Sequence, residues 1–193
     1  MNAAAGTTLG ILAGGRATRL GGRDKAWLER DGTPQVLALA QDFAAATDAV
    51  LVSANGDAGR YAAHGLRAIP DRVAGIGPLG GLDALASACA TPWLFTLPVD
   101  AVSIDAGVLR ALRAACNDAI DGAWAEDDDG PQPLVALWRV AALRDALAPA
   151  LASGEHAVHA LQSRLGMARV RCHGLCFGNL NTPADLVAAG IPT

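Results

Sequence analysis

Lysine is almost missing from this chain: of 15 Lys plus Arg among 193 residues, fourteen are arginine and only Lys25 is lysine. A lone ammonium in so arginine-biased a sequence is not filler, because a compact point charge on a flexible stem reaches between phosphate oxygens more easily than a planar guanidinium. Long apolar runs are missing too. The first, Leu9 to Ala13, has no basic segment ahead of it and is too short for a signal or a membrane span, so a cytoplasmic protein with no membrane partner is expected. Positive charge is not in excess: the formal net charge is −4, which argues against nucleic acid and for a small anionic ligand. With 52% apolar and 18% charged residues and no repeat, linker or low-complexity tract, disorder is not expected, and the length suits a single domain with a full core. Without an export signal, Cys89, Cys116, Cys172 and Cys176 read as reduced thiols. Cys172 and Cys176 lack the second pair of a zinc site and read as late-strand packing, and His64, His156, His159 and His173 are given no role.

What the chain does have is a glycine-rich basic loop. Leu9 to Ala13 reads as a buried strand that stops at Gly14 and Gly15, and Gly21 and Gly22 prevent a helix from following. Arg16, Arg19, Arg23 and Lys25 load this loop with four cations, so backbone N–H groups and cationic side chains together suit a polyanion the size of a nucleoside triphosphate. Two better-known loops do not fit. Lys25 lies between Asp24 and Ala26, not between Gly and Ser or Thr, and the glycine spacing is not that of a dinucleotide fingerprint.

Further along, the spacing predicts a helix over 34–46, a strand over 48–53, a weak helix around Tyr61, a short strand over 66–70, a helix ending near Ala90 and a buried strand from Trp93 to Pro98. This alternation implies a mostly parallel α/β sheet with right-handed crossovers. The second half reads as a helix over 104–117, a hairpin of strands 122–125 and 133–138, helices over 141–152 and 158–165, a strand near 169–172 and a last helix capped by Thr182 ahead of Pro183. The acidic run Glu126-Asp127-Asp128-Asp129-Gly130 reads as the solvated tip of the hairpin. Ligands of open α/β sheets gather beyond the carboxyl ends of the strands, which singles out the Gly14 to Lys25 loop, Asn55, Asp71 and Asp100. Asp100, ending a buried run, is placed to hold Mg2+ through hard oxygens, or alternatively to cap the helix that follows; Asn55 and Asp71 could equally be turn residues.

Leu12-Ala13-Gly14-Gly15, Arg19-Leu20-Gly21-Gly22 and Asp24-Lys25 together resemble the signature loop of the nucleotidyltransferases that include the molybdenum cofactor guanylyltransferases (MobA). The resemblance continues through Val52 to Asn55, Asp71, Gly77 to Gly81, Asp100, Gln132 to Leu134 and Asn179 to Pro183. It implies a three-layer, Rossmann-like nucleotide-diphospho-sugar transferase fold, with a mostly parallel sheet and a small antiparallel portion in the second half. Residues up to about 100 would bind nucleotide and the remainder the acceptor. It also implies that GMP is transferred from GTP to molybdopterin carrying molybdenum, with Mg2+ as cofactor and with molybdenum-insertion and molybdoenzyme maturation proteins as candidate partners. By this likeness Lys25, Asp100 and Arg19 are the candidate catalytic residues. Leu12, Ala13, Gly14, Gly15, Lys25, Asn55, Asp71 and Asp100 would contact the nucleotide, Asp100 the metal, and Asn179 and Asn181 the metal or the acceptor. Ala101-Val102 departs from the small polar or methionine residue and proline usual after the aspartate, and Leu20 replaces a methionine of similar volume. The alternatives are a cytidylyltransferase acting on the same pterin, a sugar-phosphate nucleotidyltransferase, or a carrier that binds nucleotide without chemistry.

Overall fold

The computed structural model describes residues 6–14, 23–73, 75–154 and 156–191. Its order is strand β1 (Thr7–Leu12), a 3-10 turn (Lys25–Trp27), the small strands β2 (Glu29–Arg30) and β3 (Thr33–Pro34), helix α1 (Gln35–Asp42), β4 (Ala49–Ser53), α2 (Ala58–Ala62), β5 (Arg67–Ile69), α3 (Pro78–Ala88) and β6 (Trp93–Pro98). There follow α4 (Ala106–Ala115), β7 (Gly122–Asp127), β8 (Gly130–Arg139), α5 (Val140–Ala152), α6 (Val158–Arg164), β9 (Ala168–Arg171) and α7 (Pro183–Ala188). The 3-10 turn and the β2/β3 ribbon are the elements that the hydrophobic pattern did not announce. They are too short to carry a period.

Seven strands form one sheet in the order β5-β4-β1-β6-β8-β7-β9. β5, β4, β1 and β6 are parallel, β8 is antiparallel to both β6 and β7, and β9 is parallel to β7. The expected antiparallel portion is therefore the β6/β8/β7 region.

Helices cover both faces, which is why the central strands read as continuous apolar runs. Period-2 alternation sends Leu9 and Ile11 of β1 to one face, with Val36, Leu39 and Phe43 of α1, Tyr61 of α2 and Val108 and Leu112 of α4. Leu12 goes to the other, with Leu79, Leu82 and Leu85 of α3, Leu143 and Leu147 of α5 and Leu161 of α6. α3 lies very close to the sheet: a Cβ on Gly81 would stand 2.7 Å from Leu12 Cδ2 and 2.8 Å from Ser53 Oγ. A third, small cluster packs Leu180, Leu186 and Ile191 of the tail on Leu28, just past the 3-10 turn.

The acidic run is a correction. Glu126 pairs with Arg169 at 3.2 Å and with Arg171, and Asp127 is 0% exposed. The Asp127 carboxylate accepts from the backbone N–H of Phe177 at 2.7 Å, the N–H of Asp129 at 3.1 Å and Gln132 Nε2 at 3.1 Å. Asp128 accepts from Gly174 N–H at 2.9 Å. Asp128 and Asp129 are exposed, but the run as a whole anchors residues 172–178 to the hairpin instead of pointing into water. Three N–H donors are what let a carboxylate be buried without a cation. Cys172, at the end of β9, is buried in the core as late-strand packing requires, while Cys176 is exposed.

Candidate active-site crevice

Register places the strand exits side by side. Leu12 of β1 lies opposite Ser53 of β4 and Pro98 of β6, and Ser53 lies opposite Ile69 of β5. Ala13, Ala54 and Val99 prolong the ladders through their N–H groups to Ser53 O (2.9 Å), Ile69 O (3.1 Å) and Leu12 O (3.0 Å). Asp71, Asn55, Gly14 and Asp100 thus emerge in lateral order, and three strand spacings of about 4.8 Å separate the outer exits by about 14 Å. Strand order reverses at β1, since α1 and α2 lead away on one face and α3 returns on the other. This is the switch point at which such sheets bind ligands.

At the β4/β5 end, Asn55 Nδ2 donates to Asp71 Oδ2 at 2.9 Å, and Asp71 N–H returns a bond of 2.9 Å to Asn55 Oδ1. Ser53 Oγ adds a third bond, 3.1 Å to Asp71 Oδ1. Asn55 and Asp71 are therefore a mutual pair and not two separate turn residues, and Ser53, part of the matched Val52 to Asn55 stretch but without a role assigned from sequence, contributes to it.

At the β1/β6 end, Lys25 Nζ donates to Asp100 Oδ2 at 2.6 Å and to Asn181 Oδ1 at 2.7 Å. The side chains of Lys25 and Asp100 are 21% and 17% exposed, so the pair faces the crevice while remaining partly shielded. Asp24 fixes the lysine's turn by accepting from Ala26 N–H at 3.0 Å. Asp100 is not a helix cap; Asp105 caps α4 by accepting from Gly107 N–H at 2.6 Å. The Ala101-Val102 loop holds its course without the usual proline, because Ala101 N–H donates to Pro98 O at 3.1 Å and Val102 N–H to Phe177 O at 2.7 Å. Gly178 (φ +60) passes over Val102 where a Cβ would come within 2.5 Å of Val102 Cγ2.

Asn181 owes its place to the cap of α7. Asp185 Oδ2 accepts from Asn181 N–H at 3.0 Å and Thr182 N–H at 2.7 Å, and Thr182 Oγ1 accepts from Asp185 N–H at 3.2 Å, a reciprocal box at the helix start. These backbone bonds, Thr182's first, lower the Asp185 carboxyl below its ordinary range. The Thr182-x-x-Asp185 spacing carried this signal, although the sequence reading stopped at Thr182. Asn179 is exposed on the same segment, with no bond to Lys25 or Asp100. Leu12, Ala13 and Gly14 stand at the exit of β1, whereas Gly15 and Arg19 lie outside the described residues, as do Arg16, Leu20, Gly21 and Gly22.

The residues suit a hard divalent cation. Two oxygens, one a carboxylate and one an amide carbonyl, converge on a single ammonium, a positive charge standing where both can reach it. Among the described residues no three His, Cys, Asp or Glu side chains group into a complete cage. One carboxylate and one amide oxygen are the kind of protein donors that Mg2+ takes beside waters and phosphate oxygens.

A family model described as the MobA-like NTP transferase domain matches residues 9–168. The molybdenum cofactor guanylyltransferase of Yersinia pseudotuberculosis is 33% identical over 178 residues, which cover 91% of this chain and 90% of that protein. A protein of the same description from Yersinia pestis is 32% identical over the same length. Among solved structures, molybdopterin-guanine dinucleotide biosynthesis protein A from Archaeoglobus fulgidus superposes with a TM-score of 0.73 at 20% identity, covering 95% of this chain and 96% of that one. The 2-C-methyl-D-erythritol 4-phosphate cytidylyltransferase of Thermus thermophilus gives 0.67 at 20% identity, covering 94% and 96%, and shares the fold.

Proposed function

Because the chain belongs to the MobA-like NTP transferase family of nucleotidyltransferases, we propose that it transfers GMP from GTP to molybdopterin carrying molybdenum, releasing pyrophosphate. The observation that carries this reading is the meeting of Lys25, Asp100 and Asn181 at the exits of β1 and β6. A terminal phosphate oxygen of the acceptor forms a bond to the α-phosphorus of GTP, and the bond from that phosphorus to the α–β bridging oxygen breaks. No covalent enzyme intermediate is needed, so the protein's work is positioning and neutralisation of charge. Lys25 turns from Asp100 to the phosphates, with Arg19 as a second phosphate contact from the same loop. Asp100, joined by Asn181, would hold Mg2+, which when bound neutralises charge on phosphate oxygens. The backbone at Leu12, Ala13, Gly14 and Gly15 lies along the nucleotide. Asn55 and Asp71 supply acceptors for the N1–H and N2–H donors of guanine. The segment carrying Asn179 faces the acceptor, so the part through β6 serves the nucleotide and the rest the acceptor.

The test is thermal shift with Mg2+ and each of the four nucleoside triphosphates, followed by pyrophosphate release with molybdopterin present. GTP is expected to stabilise most. A larger shift with CTP replaces this reading with cytidylyl transfer, and binding without pyrophosphate release makes the protein a carrier.

A further inference from the structure

Gln35 opens α1 and is 1% exposed, a polar side chain in a helix whose other buried residues are Val36 and Leu39. Its backbone N–H donates to Leu28 O at 2.9 Å, in the segment that leaves the Lys25 turn. Its side chain reaches the other way, with Nε2 donating to Ala101 O at 2.8 Å, directly after Asp100. One residue therefore grips both chain segments whose side chains meet in the Lys25–Asp100 pair. Gln35 Oε1 is buried with no hydrogen-bond partner. An unpaired buried acceptor costs stability, and a leucine of similar volume would avoid that cost. On this side the Asp100 loop borders a cavity of about 330 Å3, lined among others by Gln35, Leu39, Ala101 and Ser103. Ser103 sits at φ +56, a conformation that side-chain-bearing residues adopt sparingly. Val102 N–H on Phe177 O holds this loop from the side of the tail, and the Gln35 amide is the hydrogen bond that holds it from the side of α1.

We infer that Gln35 is a positioning residue: its amide holds the Asp100 loop at the one distance from the Lys25 segment at which a single ammonium spans Asp100 and Asn181. The tie stands on hydrogen bonds alone, while its contribution to catalysis rests on the nucleotidyl-transfer reading above. Sequence position gave no hint of it, since a glutamine at the start of an amphipathic helix is ordinary.

Because Lys25 is the chain's sole lysine, its ε-amine can be followed individually. Metal-free protein is treated with a small amine-modifying reagent at fixed pH, and the Lys25 peptide is quantified by mass spectrometry. Gln35→Leu is expected to raise the Lys25 modification rate several-fold, toward that of Asp100→Asn, with a melting temperature close to that of the unmutated protein, since losing the orphan Oε1 offsets the Ala101 carbonyl left without its donor. Leu39→Ala, which loosens the same helix without touching Ala101, is expected to melt lower and leave the rate nearly unchanged. In turnover, Gln35→Leu is expected to lower kcat roughly tenfold to a hundredfold, as a shift of about an ångström can, with little change in KM for GTP. A Lys25 rate in Gln35→Leu equal to the unmutated one overturns the tie. So does an equal acceleration in Leu39→Ala, which would mean general loosening. Absence of pyrophosphate release from the unmutated protein defeats the nucleotidyl-transfer reading, and the Lys25 rates still decide the tie.

Discussion

At one end of the crevice Asn55 and Asp71 hold each other through two bonds of 2.9 Å, supplied by the exits of neighbouring strands only 16 residues apart. At the other, Lys25 meets partners 75 and 156 residues away, and each partner needs its own support. Asp100 depends on a loop tied to Phe177, and Asn181 on the α7 cap and the tail cluster over Leu28. The first end follows from sheet register. The second follows from the tail folding back over Leu28 and the Asp100 loop, so changes far from the crevice should disturb it while sparing the Asn55–Asp71 pair.

The largest expected effect comes from removing the carboxylate charge at the second end. Asp100→Asn should cut pyrophosphate release by roughly 10² or more, the scale of losing one preorganised electrostatic contact in a shielded site. Because Asp105 caps α4, the melting temperature should stay close to that of the unmutated protein. A matching rate in Asp100→Asn would end its assignment as the metal residue. Lys25→Ala should follow, with a loss of about tenfold to a hundredfold for one charge-assisted phosphate contact, and Lys25→Arg should restore part of it. Full activity in Lys25→Ala would hand the phosphates to the loop arginines.

Asp127→Ala asks whether distant support matters. It strips the buried acceptor from three N–H donors and should cost roughly 3 kcal/mol or more in denaturant unfolding, with turnover reduced in the protein that remains folded. Asp71→Asn should leave turnover with saturating GTP largely intact and weaken the preference for GTP over CTP in thermal shift, if the first end reads the base. The smallest effect concerns acidity. Asp185 has a lowered folded-state pKa, so its contribution is present above the unfolded carboxylate value near 4 and fades as pH falls through the lower folded value. Loosening of α7, followed by amide exchange, should therefore begin below about pH 4, whereas in Asp185→Ala the helix should already be loosened at neutral pH and show no further onset in acid.

The chain by itself determined the alternating architecture, because Leu9 to Ala13, Ala49 to Ser53 and Trp93 to Pro98 are apolar runs of strand length, too short for helices and bounded by turn residues, as strands under helices on both faces read. It also determined the exits, since a residue that ends such a run must stand at the carboxyl edge of the sheet, and the lone lysine marked itself by composition. The Thr182-Pro183 start of α7 was likewise legible, because capping is a matter of neighbours in sequence. Tertiary structure alone decided what those residues touch. Asp127 is charged and sits in a run of acids, so only the arrival of Phe177 N–H, 50 residues later, makes it a buried anchor rather than a wet turn. Gln35 reaches Ala101, and Lys25 reaches Asp100 and Asn181, through bonds spanning 66 to 156 residues, and no local period records such distances. Hydrophobic periodicity encodes which face of an element is buried; which polar atoms then meet is set only when the faces have packed.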